Sequence, residues 1–446
     1  MTVLLPLLVG LLGCDPEASE TGDDDACTPR ADAPAVSPLP RSPGWISDER
    51  TYGTGLGWGD VNGDGWMDLV VASGNDMVPG PVSVHLGNAD GVLATTPDWR
   101  SDTEAYYGHL SLGDVDGDGT ADIAVSRYLG DDGFGAPGGV DLYHGGPAGP
   151  GALPDWTVGG FHSFSLAFGD GDGDGDLDLA VAVGEPYEGV PAPDRLYENV
   201  AGSLGANPVW TSEAAFSLDV AFLDVDGDAD LDLVFAREGA PHARYDNADG
   251  YPGLPDWEAG GAVFGGNSLD FGDVDGDGFP DLLVSDTVVG IATLYCGQAW
   301  QPCWIRPGDP MYASAVSLVD VDGDEDLDAV LGSWWGRVEV WSNHDGVLAE
   351  VASYRSATDA VIEAFAWHDM DGLHEEPGCA AGTGLVAIPR GSRVVELDPP
   401  DAAVGDGYVT VPSGVEVDVR WARSRQLDLA VSNWEPEDGT WVFERD

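Results

Sequence analysis

One nonapeptide recurs six times in near-identical form, and this repetition constrains the fold more than any other feature of the 446-residue chain. The copies start at Asp60 (DVNGDGWMD), Asp114 (DVDGDGTAD), Asp170 (DGDGDGDLD), Asp224 (DVDGDADLD), Asp273 (DVDGDGFPD) and Asp320 (DVDGDEDLD). Extending the register gives two eroded copies. One starts at Asp369 and keeps only Asp371; the other starts at Arg420 and keeps only Asp428. Successive starts are 54, 56, 54, 49, 47, 49 and 51 residues apart. A near-fixed period of this length marks an array of supersecondary units, each burying its apolar face on the next.

Every unit has the same internal order. A short alternating strand precedes the loop, as in Ser165-Leu166-Ala167-Phe168, and an apolar strand such as Leu69-Val70-Val71-Ala72 follows it. A third strand carries an aromatic in register at Tyr143, Tyr197, Tyr245, Tyr295 and Trp341. A Pro-x-Trp then opens a fourth strand at Trp99, Trp156, Trp210, Trp257 and Trp304. Valines, aromatics and period-two alternation between Gly, Asn and Asp clusters are strand and hairpin signals. Four short strands per repeated unit describe an all-β fold, a β-propeller. Eight units predict eight blades, with seven as the runner-up if one eroded unit is an insert. Pro43-Gly44-Trp45 repeats the fourth-strand signature before any blade, and the chain ends on a third strand at Trp441-Val442-Phe443. The N-terminal strand is therefore expected to complete the last blade and close the ring, which removes free edges.

Oxygen donors fall on alternate residues of each loop. The ligand sets are Asp60, Asn62, Asp64, Trp66 and Asp68; Asp114, Asp116, Asp118, Thr120 and Asp122; and Asp170, Asp172, Asp174, Asp176 and Asp178. The later loops give Asp224, Asp226, Asp228, Asp230 and Asp232; Asp273, Asp275, Asp277, Phe279 and Asp281; and Asp320, Asp322, Asp324, Asp326 and Asp328. Side chains vary freely at position 7, as expected where only a backbone carbonyl is used. Such a set suits calcium, which takes six to eight oxygens at variable geometry; magnesium prefers a rigid octahedron with retained water. Zinc is disfavoured because the loops lack His and Cys. Four carboxylates crowded into one turn without a cation repel by several kcal/mol at low effective dielectric. About six ions, acting as structural clamps, are the expectation.

The loops resemble the first half of an EF-hand, but Val71 and Val125 stand where its last glutamate would be, and strands follow where helices would. Phe168-Gly169-Asp170 and Phe271-Gly272-Asp273, each followed by the aspartate pattern and an apolar strand, resemble the FG-GAP or VCBS-type calcium-loop repeats related to the N-terminal propellers of integrin α chains. The resemblance spans residues 43–446. It implies a bladed fold with calcium in the hairpin between the first two strands of each unit.

With 80 acidic and 17 basic side chains, the net charge is −63, and every basic residue is arginine. No basic patch offsets phosphate, so nucleic acid is excluded as a partner, as is an anionic membrane surface. Disorder is excluded too, because 43% of residues are hydrophobic and 16 are tryptophan. The apolar run Val3 to Leu12 has the length of a signal h-region. It leads into Leu11-Leu12-Gly13-Cys14, which resembles the bacterial lipobox, although no Arg or Lys precedes the run. That resemblance implies a signal peptide over 1–13 and a lipid on Cys14, hence an exported protein anchored in the cell envelope through its lipid alone. Residues 14–42 read as an acidic, Pro-rich linker. Cys296 and Cys303 are spaced to bridge a hairpin, whereas Cys27 and Cys379 are left either paired or free.

Catalytic signatures are missing from the sequence. The eight histidines follow no metal-ligand spacing, and no G-x-S-x-G elbow, Walker loop or H-E-x-x-H occurs. Blade connectivity places the acidic loops on one face and the loops joining second to third strands on the other. Those second-face loops carry Tyr128, Phe134, Tyr187, Trp334, Trp335 and Trp434. Exposed rings beside carboxylates suit sugar stacking or a protein epitope. The expectation is a calcium-stabilised binding or adhesion protein for a glycan or protein ligand. An envelope polysaccharide lyase or hydrolase on the same scaffold is the alternative.

Overall fold

The structure, a computed structural model, describes residues 39–368 apart from 42, 50, 75, 77, 90, 188, 249, 261–264, 288–289, 325 and 358, plus strand segments outside that range. The signal segment, the linker, Cys27, Trp434 and the two eroded loops lie outside the described residues, as do the side chains of Cys14 and Cys379.

Each repeat folds into a four-stranded antiparallel meander. Blade 1 comprises Gly53–Gly59, Asp68–Ser73, Val82–His85 and Trp99–Arg100 in sequential order. Blades 2, 3, 4 and 5 repeat that order from Tyr106–Gly113, Ser163–Gly169, Ser217–Leu223 and Gly266–Gly272. Blade 6 starts at Tyr312–Val319 and inserts a small hairpin, Asn343–His344 with Val347–Leu348, before its last strand. Second strands such as Asp178–Val183 are buried throughout because neighbouring blades cover both faces. The core is accordingly distributed between blades. One cluster joins Ala124, Val140 and Leu142 of blade 2 to Leu166, Leu179 and Val181 of blade 3.

The aromatics found in register are stitches from each blade to the next. Fourth-strand Trp99 meets Tyr143 of blade 2 edge-on at 5.7 Å, Trp156 meets Tyr197 at 5.6 Å and Trp210 meets Tyr245 at 4.9 Å. Trp257 with Tyr295 and Trp304 with Trp341 continue the series, both at 5.7 Å. First strands line the axis, where blades approach most closely. A Cβ on Gly55 would lie 2.7 Å from the His109 Cα, and one on Gly108 would lie 2.3 Å from the Phe164 carbonyl oxygen. Polar side chains bridge the blades near the axis: Ser126 Oγ, on the second strand of blade 2, donates to the Phe164 carbonyl at 2.7 Å, and Ser165 Oγ donates to Asp219 at 2.6 Å between first strands.

The structure corrects the expected blade number and closure. Among the described residues, six blades, not eight or seven, fold from consecutive chain segments. The two eroded units make one composite sheet between them, in which Ile362–His368 pairs with Asp428–Asn433, and Trp441–Phe443 follows. Beyond its first residue the seventh nonapeptide keeps only Asp371, so it lacks the final aspartate that ties first to second strand in the six blades. The first strand pairs instead with chain about sixty residues downstream. Nor does the N-terminal strand shut the ring. The joint is made near the axis, where Ala364 packs with Leu56, Trp58 and Leu69 of blade 1. Trp45–Ile46 adds two residue pairs at the outer edge of the composite sheet, from which Trp45 meets His85 of blade 1 at 5.1 Å.

Candidate functional site

The ninth residue of the acidic loop is the buried knot of the hairpin. Its Oδ2 accepts the N–H of position 2, as in Asp68 from Val61 at 3.0 Å, Asp122 from Val115 at 2.8 Å and Asp281 from Val274 at 2.9 Å. Its Oδ1 accepts a backbone N–H just past the third strand, as in Asp68 from Gly87, Asp178 from Asn199 and Asp232 from Asn247, each at 2.8 Å. Asp328 does the same with Val321 and Asn343. The side chains of Asn199, Asn247 and Asn343 then donate to the preceding blade's loop, at Val115, Gly171 and Val274. Burial pushes Asp68, Asp178, Asp232, Asp281 and Asp328 up to about 7, against the backbone N–H groups that favour their ionised form.

Positions 1, 3 and 5 converge at the exposed tip. Carboxylate oxygens of Asp114, Asp116 and Asp118 lie within 4.8 Å of one another, as do those of Asp170, Asp172 and Asp174, and of Asp224, Asp226 and Asp228. Oδ1 of Asp170 and of Asp273 is buried without a hydrogen-bond partner. A buried, unpartnered carboxylate oxygen beside two more carboxylates fits a hard oxygen-seeking cation, which would supply the missing partner. Asp60, Asn62 and Asp64 form the corresponding tip of the first loop, where Asn62 Oδ1 accepts the Asp64 N–H at 2.9 Å. Asp275 and Asp277 do likewise in the fifth loop at 3.1 Å. In the sixth, Asp320 accepts from Gly323, and Asp324 accepts from Asp326 at 3.2 Å, with Asp322 between them.

Position 7 is not uniform. Trp66 is exposed and Phe279 half-buried, while Thr120 donates its hydroxyl to Asp118 at 2.5 Å. Asp176 and Asp326 accept N–H bonds from Ala201 and Asp345, both at 2.7 Å, and Asp230 is exposed. The sequence reading missed His144, whose Nδ1 lies 3.2 Å from Asp122 and 3.6 Å from Asp116. The hydrogen bond to Asp122 raises its pKa, against burial. Its signal is visible only with the structure in hand: the position follows a third strand and hangs over the loop.

The opposite face gathers most of the aromatics picked out from sequence. First strands end at the acidic loops, so their starts mark the other end of the axis. There Thr54, Tyr107, Phe164, Leu218 and Asn267, from five first strands, floor a cavity that opens to solvent. Tyr128, Tyr187 and Trp334 wall it, joined by Asp76, Glu238 and Glu363. Tyr128 is buried rather than exposed, donating its hydroxyl to Glu185 at 3.0 Å. Phe134 bridges Tyr128 and Tyr187 with centroid distances of 6.3 and 5.9 Å. Tyr187 and Trp335 are exposed, at 62% and 63%. Trp335 flanks the cavity wall, with its ring 6.1 Å from that of Trp334.

Sequence reasoning missed the acids of this cavity. Glu363 is 1% exposed, and Trp334 Nε1 donates to its Oε1 at 2.6 Å. Burial, opposed by that hydrogen bond, pushes its pKa up to about 8. Burial likewise raises Asp76 and Glu238. The available signal was an acid interrupting an apolar strand, Val361-Ile362-Glu363-Ala364. Cys296 and Cys303 are bridged across blade 5, with Cα atoms 5.7 Å apart, and the Cys296 sulfur lies within 4.8 Å of carboxylate oxygens of Asp275 and Asp281 in the fifth acidic loop.

The family model for the FG-GAP-like repeat matches residues 47–125 and 224–284. Fold and repeats together describe a β-propeller that carries FG-GAP-like repeats, an architecture consistent with an adhesion-type scaffold. No curated protein matches the chain significantly. Among solved structures it is similar to the computationally designed Ika8 protein, at 11% identity and a TM-score of 0.47, over 90% of this chain and 98% of that one.

Proposed function

We propose that the chain is a calcium-stabilised binding or adhesion platform of the cell envelope that recognises a glycan or protein ligand through the cavity end of its axis. One observation carries the binding role: loops from separate blades bring aromatic rings and carboxylic acids together on one open cavity, opposite the acidic loops. Calcium supports it from the other face. Positions 1, 3 and 5 would hold each ion, and the position-9 knot would fix the hairpin that presents them. The ion supplies positive charge among carboxylates and crosslinks the turn. Anchoring through Cys14 rests on the lipobox resemblance.

Alanine at the two exposed rings tests the platform without opening the core. Replacing Tyr187 and Trp335 together should lower ligand capture on a glycan array about tenfold or more, with the melting temperature unchanged. Equal capture by the double variant would remove the rings from the binding role. Polysaccharide cleavage is the second reading. Its support is Glu363, whose raised pKa keeps it protonated near neutrality, as a general acid must be. Incubation of the array glycans with the mature domain, followed by product analysis, separates cleavage from capture.

A further inference from the structure

The axial cavity carries a more specific chemistry than a general platform. Three of its lining residues, Asp76, Glu238 and Glu363, are acidic and none is basic. Glu363 is the decisive group. It is 1% exposed, its Oε1 is held by Trp334 at 2.6 Å, and its Oε2 is buried without a well-formed hydrogen bond, the Asn267 side chain being the one other group that favours its ionised form. A buried carboxyl oxygen so weakly bonded is costly, and a charged donor arriving with a ligand would reduce that cost. Beside it stand the ring of Trp334 and the exposed ring of Tyr187. Flat aromatic faces suit the C–H face of a pyranose, whereas a small ammonium ion would leave most of that surface uncovered. The acids oppose a uronate, and a chain of net charge −63 repels anionic polymers and attracts cationic ones before contact.

We propose that this cavity binds a glycan through an amino sugar, its ring stacked on Trp334 and Tyr187 and its ammonium group donating to Glu363 Oε2. This inference rests on the binding role proposed above and names the ligand class of that same site. Asp76 and Glu238 add negative potential at the cavity without having to touch the amine.

Calorimetric titration of the full chain in calcium buffer tests it, using trisaccharides of glucosamine, N-acetylglucosamine and galacturonate. The amino trisaccharide should bind at least about tenfold more tightly than the acetylated one, and the uronate should not bind. Glu363→Gln keeps the Trp334 contact and removes the carboxyl group that would ionise beside an ammonium; it should erase the preference for the free amine. Tyr187→Ala, at an exposed position, should weaken both glucosamine-based sugars alike. Equal affinity for amino and acetylated sugars, or an unchanged preference in Glu363→Gln, overturns the amino-sugar assignment and leaves the platform standing. No binding of any glycan overturns this assignment together with the glycan branch of the platform. Displacement of the amino trisaccharide by an equimolar arginine-containing peptide overturns it in favour of a protein ligand.

Discussion

Ala229 holds a left-handed backbone, φ 77°, at the sixth loop position, where Gly65, Gly119, Gly175 and Gly278 stand in other copies with φ between 87° and 101°. A Cβ is disfavoured in that region and glycine is not. Ala229→Gly should therefore stabilise the protein by about 1 kcal/mol, read as a rise in urea midpoint with an unchanged slope. The position-9 aspartate illustrates the opposite case. Asp178→Ala strips partners from the N–H groups of Gly171 and Asn199 at a buried site. Each orphaned donor costs about 1–3 kcal/mol, so the loss should be several times the Ala229 gain. Spacing alone marked Asp178 as a ligand like its neighbours; its knot role needed the third strand, twenty residues on, to come back over the loop.

At the scale of the hairpin, charge decides behaviour. Five position-9 aspartates have folded-state pKa values of about 7 when only protein groups surround them, against an ordinary aspartate value of 3.8. A raised pKa means the folded chain holds protons that the unfolded chain has released. Stability from these groups is therefore fully present below the unfolded value and lost as pH climbs from about 4 to 7. In chelator, the melting temperature should fall steadily across that window. Calcium binds carboxylates in place of protons, so in calcium buffer the curve should flatten, and the gap between the two conditions should widen with pH. A gap that narrows towards pH 7 would contradict calcium as the clamp. Saturating calcium at a thousandfold excess over its dissociation constant is worth about 4 kcal/mol per site, enough for chelation to be plain in a thermal scan.

For the whole molecule, the composite sheet is the place where a periodic rule met a long-range contact. Ile362–His368 closes the ring on blade 1, while its partner Asp428–Asn433 lies far along the chain. Deleting the chain from residue 428 onward removes that partner and should lower the melting temperature and the cooperativity of unfolding. Deleting residues 1–38 should leave both unchanged, because Trp45 and the blades lie beyond the cut.

The sequence by itself determined what is local and repeated: the four-strand unit, the aspartate turn, the registered aromatics, and the two faces that blade connectivity separates. These follow from side-chain period, turn chemistry and ligand spacing, each expressed within about fifty residues. Tertiary structure alone decided the blade count, because pairing of an eroded repeat depends on which distant strand reaches it. It alone turned the aspartate at position 9 into a knot and buried Tyr128. It also brought Asp76, Glu238 and Glu363, almost three hundred residues apart at the extremes, to one cavity. No periodicity encodes that meeting, since it follows from the curvature that carries first strands round a common axis.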